Sequence, residues 1–166
     1  MVEKQKAAIQ LSLMAIMSAL VTLGTLIIRI PNGMGGYFNV GDVMIFVAAL
    51  TFDPIIGGVA GGVGSAIADI IGYPVFVIPT LIIKGLEGLI ANLFTNKKSI
   101  FRDILAVVAA GVEMVVGYFL VECFMWGIGD AVLEILPNIA QIAIGGFVGI
   151  PIALVLRRRL QEIPKG

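Results

Sequence analysis

Histidine is absent from the 166 residues and cysteine occurs once, at Cys123. The first absence removes the commonest metal ligand and general base, and the second excludes an internal disulfide. Charge is scarce as well: 13% of the residues are Asp, Glu, Lys or Arg, against about a quarter in an ordinary soluble domain. With eleven residues of each sign and a pI near 6.2, the chain has no basic excess for nucleic acid. A Walker phosphate loop, a nucleophile elbow and paired-Asp motifs are all missing, and no cofactor or metal site is expected.

What fills the chain instead is hydrocarbon. It is 59% hydrophobic with a mean hydropathy of +1.07, and apolar runs of helix-spanning length follow one another almost without linkers. So little polar surface cannot cover a soluble core, so the reading is one integral membrane domain over residues 1–166. It is all-α, a polytopic bundle of about six transmembrane helices at roughly 20 residues each.

The runs are about Ala7 to Ile28, "VGDVMIFVAALTF", Ile55 to about Ile71, about Thr80 to Phe94, about Ile104 to Trp126, and Pro137 to Leu156. The second is short and ends at "DP", where Pro54 breaks a continuing helix. Gly127, Gly129, Asp130 and Glu134 read as a connection between the fifth and sixth. The first run lacks a clear small-residue cleavage site and is kept as a permanent span.

The cations set an orientation. Lys4, Lys6, Lys97, Lys98, Arg102, Arg157, Arg158, Arg159 and Lys165 all fall on one side of an even-span topology, leaving only Arg29 and Lys84. That side is expected to be the cytoplasm, with both termini there and the protein multi-pass in the cell membrane.

Small residues mark two faces. In the first span Ala8, Ser12, Ala15, Ala19 and Thr22 share one side of a helix, and Ala15 and Ala19 form a small-xxx-small step. That face suits close packing, either against another helix of this chain or against a partner. The third span, with Gly57, Gly58, Gly61, Gly62 and Ser65, reads as a helix packed tightly on several sides in the middle of the bundle. Asp53 is expected to cap it.

The polar residues inside the membrane are the candidates for function. Lys84 should lie about 8 Å below the outer end of the fourth span, with Glu87 one turn deeper. Asn39, Asp42, Asp69, Tyr118, Glu122 and Trp126 fall near the same level, and Glu113 lies deeper, as a packing group or a cavity floor. Charges in a bilayer cost at least about 2.5 kcal/mol each and should face one another or a wet cavity. Lys84 and Glu87, three apart, could satisfy each other; the further carboxylates point to an outward-facing polar pocket. There Lys84 would donate to ligand acceptors, carboxylates would accept ligand N–H or O–H groups, and Tyr37, Tyr118 or Trp126 could stack on a planar heterocycle.

The stretch "GGYFNVGDVMIFVAALTFDPIIGGVAGGVGSAIADIIGY" resembles the substrate-binding S components of energy-coupling factor (ECF) vitamin transporters, of the riboflavin-type or hydroxymethylpyrimidine-type branch. The resemblance covers Gly36 to Tyr73 closely and the rest of the chain through size, span number and termini. It implies a six-helix protein that captures a vitamin-like small molecule outside. The protein would hand it to a module of one membrane coupling subunit and two ATPase subunits of an ABC-type importer. It implies that Ala15 and Ala19 face the coupling subunit and that "RIPNGMGGYFN" covers the site. It names no single substrate. A self-contained oligomeric channel and an intramembrane enzyme using Asp69, Glu87 and Glu122 are the rival readings. The first would need a polar stripe through the full depth, and the second would have to work without histidine.

Overall fold

The computed structural model describes residues 2–31 and 37–162. Five of the eleven residues of the expected covering segment, 32–36, and Lys165 lie outside the described residues. Six α-helices make the body: α1 Val2–Ile27, α2 Gly41–Thr51, α3 Pro54–Gly72, α4 Val77–Phe94, α5 Ile100–Trp126 and α6 Ile128–Glu162. A two-stranded antiparallel hairpin, β1 Arg29–Pro31 and β2 Tyr37–Asn39, joins α1 to α2, and a 3-10 turn at Pro74–Phe76 leads into α4. The architecture is the all-α membrane bundle expected. Five helices are long and apolar enough to cross a membrane, and α2 is shorter.

Around the bundle the order is α1, α3, α4, α5, α6, with α2 inside touching α1, α3, α4 and α6. This placement follows from the sequence of α2, "GDVMIFVAALT", which past its first two residues offers no polar side to solvent or headgroups. All of its residues except Met44 are buried. At 11 residues it is only about 16 Å long, because β2 carries the chain into the bundle before α2 begins. Both ends are satisfied by side chains, as a helix end buried away from water requires. Asn39 Oδ1 accepts the Gly41 N–H at 2.8 Å at the start. At the other end Asn92 Nδ2 donates to Ala49 and Phe52 carbonyls at 2.5 and 2.6 Å, and Lys97 Nζ donates to Phe52 O at 2.6 Å.

The glycine-rich α3 is held on three sides, as its composition suggests. A Cβ on Gly61 would run into the Lys84 carbonyl oxygen of α4, and one on Gly64 would lie 2.6 Å from the Ser18 carbonyl oxygen of α1. Asp53 occupies the N-cap position with extended backbone, but its side chain makes no capping bond; Pro54 follows at the first helical position. The expected cap is therefore a proline start, where the missing N–H costs nothing.

The main departure from the sequence reading is α6. It starts at Ile128, separated from α5 by Gly127 alone, and runs 35 residues through Pro137 and Pro151. The turn needs glycine, because residue 127 has φ +96°. At about 52 Å, α6 is longer than a hydrocarbon core of about 30 Å, so its first two turns are the supposed connection. A proline in a helix removes one N–H bond; packing on α5 and α2 keeps the helix continuous.

At the end carrying the termini, Arg157 is buried rather than interfacial, its guanidinium 3.0 Å from Asp103 Oδ2. Thr95 donates its hydroxyl to the other Asp103 oxygen, tying the α4–α5 connection to α6. Burial lowers the Lys97 ammonium below its ordinary range. Outside, large apolar side chains such as Phe124, Leu136 and Phe147 are exposed in numbers that only a lipid surround explains.

Candidate functional site

At the hairpin end the bundle forms a small, partly open polar cavity of about 50 Å³. Every surrounding element contributes: Thr25 from α1, Tyr37 and Asn39 from β2, Ser65 and Asp69 from α3, and Thr80 and Lys84 from α4. Tyr118 and Glu122 of α5 and Glu134, Asn138 and Gln141 of α6 complete the polar lining, with Tyr73 and Phe76 at the α3–α4 turn.

Six of the nine sequence candidates line this space: Tyr37, Asn39, Asp69, Lys84, Tyr118 and Glu122. The other three stand outside the lining and support it. Asp42 and Glu87 form the layer beneath, with Lys84 Nζ 2.6 Å from Asp42 Oδ1 and 2.9 Å from Glu87 Oε2. The i, i+3 pairing of Lys84 with Glu87 is therefore real, but only half of the lysine's environment. Trp126 packs behind Phe76, ring centroids 5.2 Å apart. Glu113 is likewise outside the lining.

A hydrogen-bonded chain fixes the floor. Gln141 Nε2 donates to Asp42 Oδ2 at 3.0 Å, and Gln141 Oε1 accepts both the backbone N–H and the side-chain amide of Asn39, each at 3.0 Å. One glutamine thus links β2, α2 and α6 and, through Asp42, reaches Lys84 on α4. Each group is buried, and each polar contact offsets desolvation that would otherwise be costly.

The wall toward the hairpin is aromatic. Tyr37 and Tyr73 lie 5.7 Å apart, Tyr73 and Phe76 6.4 Å, and Phe76 and Tyr118 6.1 Å. Tyr37 donates its hydroxyl to Asp69 Oδ1, and the Arg29 guanidinium sits 4.8 Å above the Tyr37 ring. Burial first, and the Asp69 carboxylate second, push the Tyr37 hydroxyl above its ordinary pKa, so it remains a proton donor. The hairpin is thereby fastened to α3. Thr80 and Tyr118 share a hydrogen bond of 3.0 Å, and Lys84 Nζ lies 5.8 Å from the Tyr118 ring centroid.

Sequence reasoning missed Glu134, Asn138 and Gln141. Their spacing of four and then three places them on one helical face, a signal hidden by reading Pro137 as the start of the span. Tyr73, Phe76 and the hydroxyl residues Thr25, Ser65 and Thr80 were missed for a different reason. Apolar and small polar side chains look the same whether they face a cavity, a neighbour or lipid.

A second feature lies on the outside of the bundle. Ala15 and Ala19 are exposed in a shallow apolar groove between α1 and α3, with Leu11, Met14 and Val63 nearby. Their neighbours one turn on, Ser18 and Thr22, hydrogen-bond to Val59 and Gly64 carbonyls of α3 at 3.4 and 2.7 Å. Packing of α1 within the chain uses Ser18 and Thr22, and leaves the alanines open.

Comparison with known proteins shows the family of the chain. Over residues 5–158 the chain matches the family described as "ECF-type riboflavin transporter, S component". It is 42% identical over 145 residues to a Pyrococcus woesei protein described as "Uncharacterized protein in gap 3'region", covering 86% of this chain and 98% of that one. It is 33% identical over 139 residues to the "Thiamine precursor transporter HmpT" of Lactococcus lactis subsp. cremoris (strain MG1363), covering 82% of this chain and 80% of that one. A buried polar cavity at one end of a small apolar bundle suits a transport protein that binds its cargo, and with a family match over nearly the whole chain, this protein belongs to the S components of ECF-type transporters.

Proposed function

We propose that the protein captures a heteroaromatic vitamin or vitamin precursor from outside the cell, of the hydroxymethylpyrimidine, pyridoxine or riboflavin-like kind. It delivers that ligand to a module of a membrane coupling subunit and two ATPase subunits for ATP-driven uptake. Both termini are cytoplasmic and the cavity opens outward, in keeping with the cation distribution. The observation that carries the reading is the cavity itself: aromatic faces and hydrogen-bonding groups converge on one space that is closed beneath by Asp42, Lys84, Glu87 and Gln141. Directly below comes an apolar layer, with Phe46, Leu50 and Met114 fully buried. A continuous aqueous path through the chain would have to cross this layer, which argues for binding and handover rather than self-contained conduction.

The relative described as a thiamine precursor transporter supports the vitamin-precursor class. The exposed Ala15 and Ala19 support a docking role for α1, because small side chains allow a partner helix to approach closely in lipid. The test is purification of the tagged chain from its native host, with mass spectrometry of the proteins and small molecules that accompany it. A coupling subunit, two ATPase subunits and a heteroaromatic compound are expected; a chain that comes alone and conducts solutes in ATP-free vesicles overturns the reading.

A further inference from the structure

The outer wall of the bundle carries a groove between α5 and α6 with a volume of about 660 Å³, lined throughout by apolar side chains and glycine. It runs along α5 from Ile100 to Val116 and along α6 from Ile139 to Pro151. Two glycines make its floor. A Cβ on Gly111 would stand 2.5 Å from Ile142 Cγ2, and one on Gly146 would stand 2.7 Å from Val107 Cγ1, so the helices meet closely there. Val108, Val112 and Phe147 rise at the rim, 54%, 60% and 84% exposed. Water does not settle in such a groove, which offers none of the polar partners that an ordered water needs. In a bilayer, hydrocarbon has to fill it.

The charges at its mouth decide whose hydrocarbon. Ile100 opens α5 directly after the α4–α5 connection, so the groove starts at the end carrying the termini. From there it reaches inward by about 24 Å at 1.5 Å per residue, enough for an acyl chain of one leaflet, about 15 Å deep. The cations at that end differ in what already engages them. Arg157 pairs with Asp103, Arg159 pairs with Glu162, and Lys97 donates to the Phe52 carbonyl. Lys98 and Arg158 are exposed, and among the described residues no ion pair engages either. Arg158 follows Pro151 by seven residues, two helical turns, and continues the groove face of α6; Lys98 stands just before Ile100. The Arg157–Asp103 contact holds these two helix ends together.

We propose that the groove holds an acyl chain of an anionic phospholipid from the leaflet on the termini side, with the lipid phosphate between Lys98 and Arg158. Two free cations above a dry apolar channel match a headgroup of negative charge joined to a hydrocarbon tail. A helix of another protein fits less well, because branched and aromatic rim side chains hold a helix away, in contrast to the open Ala15 and Ala19 face. A flexible chain passes between them. The groove also belongs to other helices than the one between α1 and α3, so a partner seated on α1 does not compete for it.

The test reconstitutes the purified full chain in phosphatidylcholine vesicles that contain a trace of one of two probes, phosphatidylglycerol or phosphatidylcholine, each with a photoreactive diazirine at mid-chain. Mass spectrometry locates the labelled peptides. Phosphatidylglycerol is expected to label the groove, at residues such as Val112 and Phe147, at least about fivefold more than phosphatidylcholine does, the worth of one basic side chain beside an anionic headgroup. On lipid-facing residues elsewhere, such as Phe124 and Leu136, the two probes should label alike. Lys98→Gln combined with Arg158→Gln should remove the preference. Ala143→Phe fills the groove from an exposed position and should reduce labelling by both probes. Equal labelling of the groove by the two probes, a preference that survives in the double variant, or groove labelling undiminished by Ala143→Phe overturns the proposal. So does a groove left unlabelled because a second copy covers it, seen as a crosslinked dimer. If Ala143→Phe does not fold, the wild-type ratio and its loss in the double variant decide.

Discussion

Lys84 Nζ lies 2.6 Å from Asp42 Oδ1, in an ion pair that joins α4 to the enclosed helix α2. Both side chains are almost completely buried, and Glu87 completes the group from one turn below. The pair explains why α4 carries a lysine inside the membrane: it holds α2 in register and sets the depth of the cavity floor. Because Gln141 takes the second Asp42 oxygen, α6 is drawn into the same arrangement.

Breaking this group from one side should cost far more than dissolving it. Lys84→Met leaves Asp42 and Glu87 facing each other without their cation, and about 3–5 kcal/mol of destabilisation is expected for a buried pair that loses one partner. The triple variant Lys84→Met, Asp42→Asn, Glu87→Gln should recover a large part of that loss. Thermal unfolding in detergent distinguishes the two, and a triple variant no more stable than Lys84→Met alone would contradict the pairing argument.

Ala15→Trp and Ala19→Trp should separate binding from transport. Neither alanine is used in packing α1 on α3, so the isolated protein should keep its ligand affinity within about twofold. ATP-driven uptake and recovery of the coupling subunit should be lost, because an indole holds a partner helix away. Equal loss of ligand affinity would mean that the face serves internal packing after all.

Orientation is open to a labelling experiment. Lys98 is exposed in the connection between α4 and α5, where Asn96 Oδ1 accepts the Lys98 and Ser99 backbone N–H groups and so shapes the turn without using the lysine side chain. A cysteine at Lys98, with Cys123 replaced by serine, should resist a membrane-impermeant thiol reagent in intact cells and react once the cells are opened. Labelling in intact cells would reverse the topology.

Gly61→Ala tests the closeness of α3 and α4. The new methyl meets the Lys84 carbonyl oxygen, a backbone atom that cannot swing away. Separation of the helices should cost about 1–3 kcal/mol, the usual penalty of overpacking, and should weaken ligand binding because Lys84 moves with its backbone. A transition temperature and affinity equal to wild type would show that the helices can part without consequence.

Tyr37→Phe removes the hydroxyl that fastens the hairpin to Asp69. Ligand dissociation, followed by stopped-flow Trp126 fluorescence, should accelerate several-fold, with association changed less. Unchanged dissociation would show that the hairpin does not retain the ligand.

Much of this protein was determined by the sequence alone. Long apolar runs and the one-sided cations identify a multi-pass bundle, because the cost of burying a peptide or a charge in lipid acts residue by residue. Depth was equally legible: Asn39, Asp42, Asp69 and Lys84 were expected at one level, since each helical residue advances the chain by about 1.5 Å. The tertiary structure alone decided the directions in which side chains face. That Lys84 meets Asp42 across helices, that Trp126 stands behind Phe76, and that Ala15 stays exposed in the groove beside α3 depend on how each helix is rotated against its neighbours. Rotation is set by packing, such as the contact of Gly61 with the Lys84 carbonyl. The extent of α6 belongs to the same class: Pro137 argues locally for a boundary, and the contacts with α5 and α2 carry the helix through it, bringing Glu134 into the cavity.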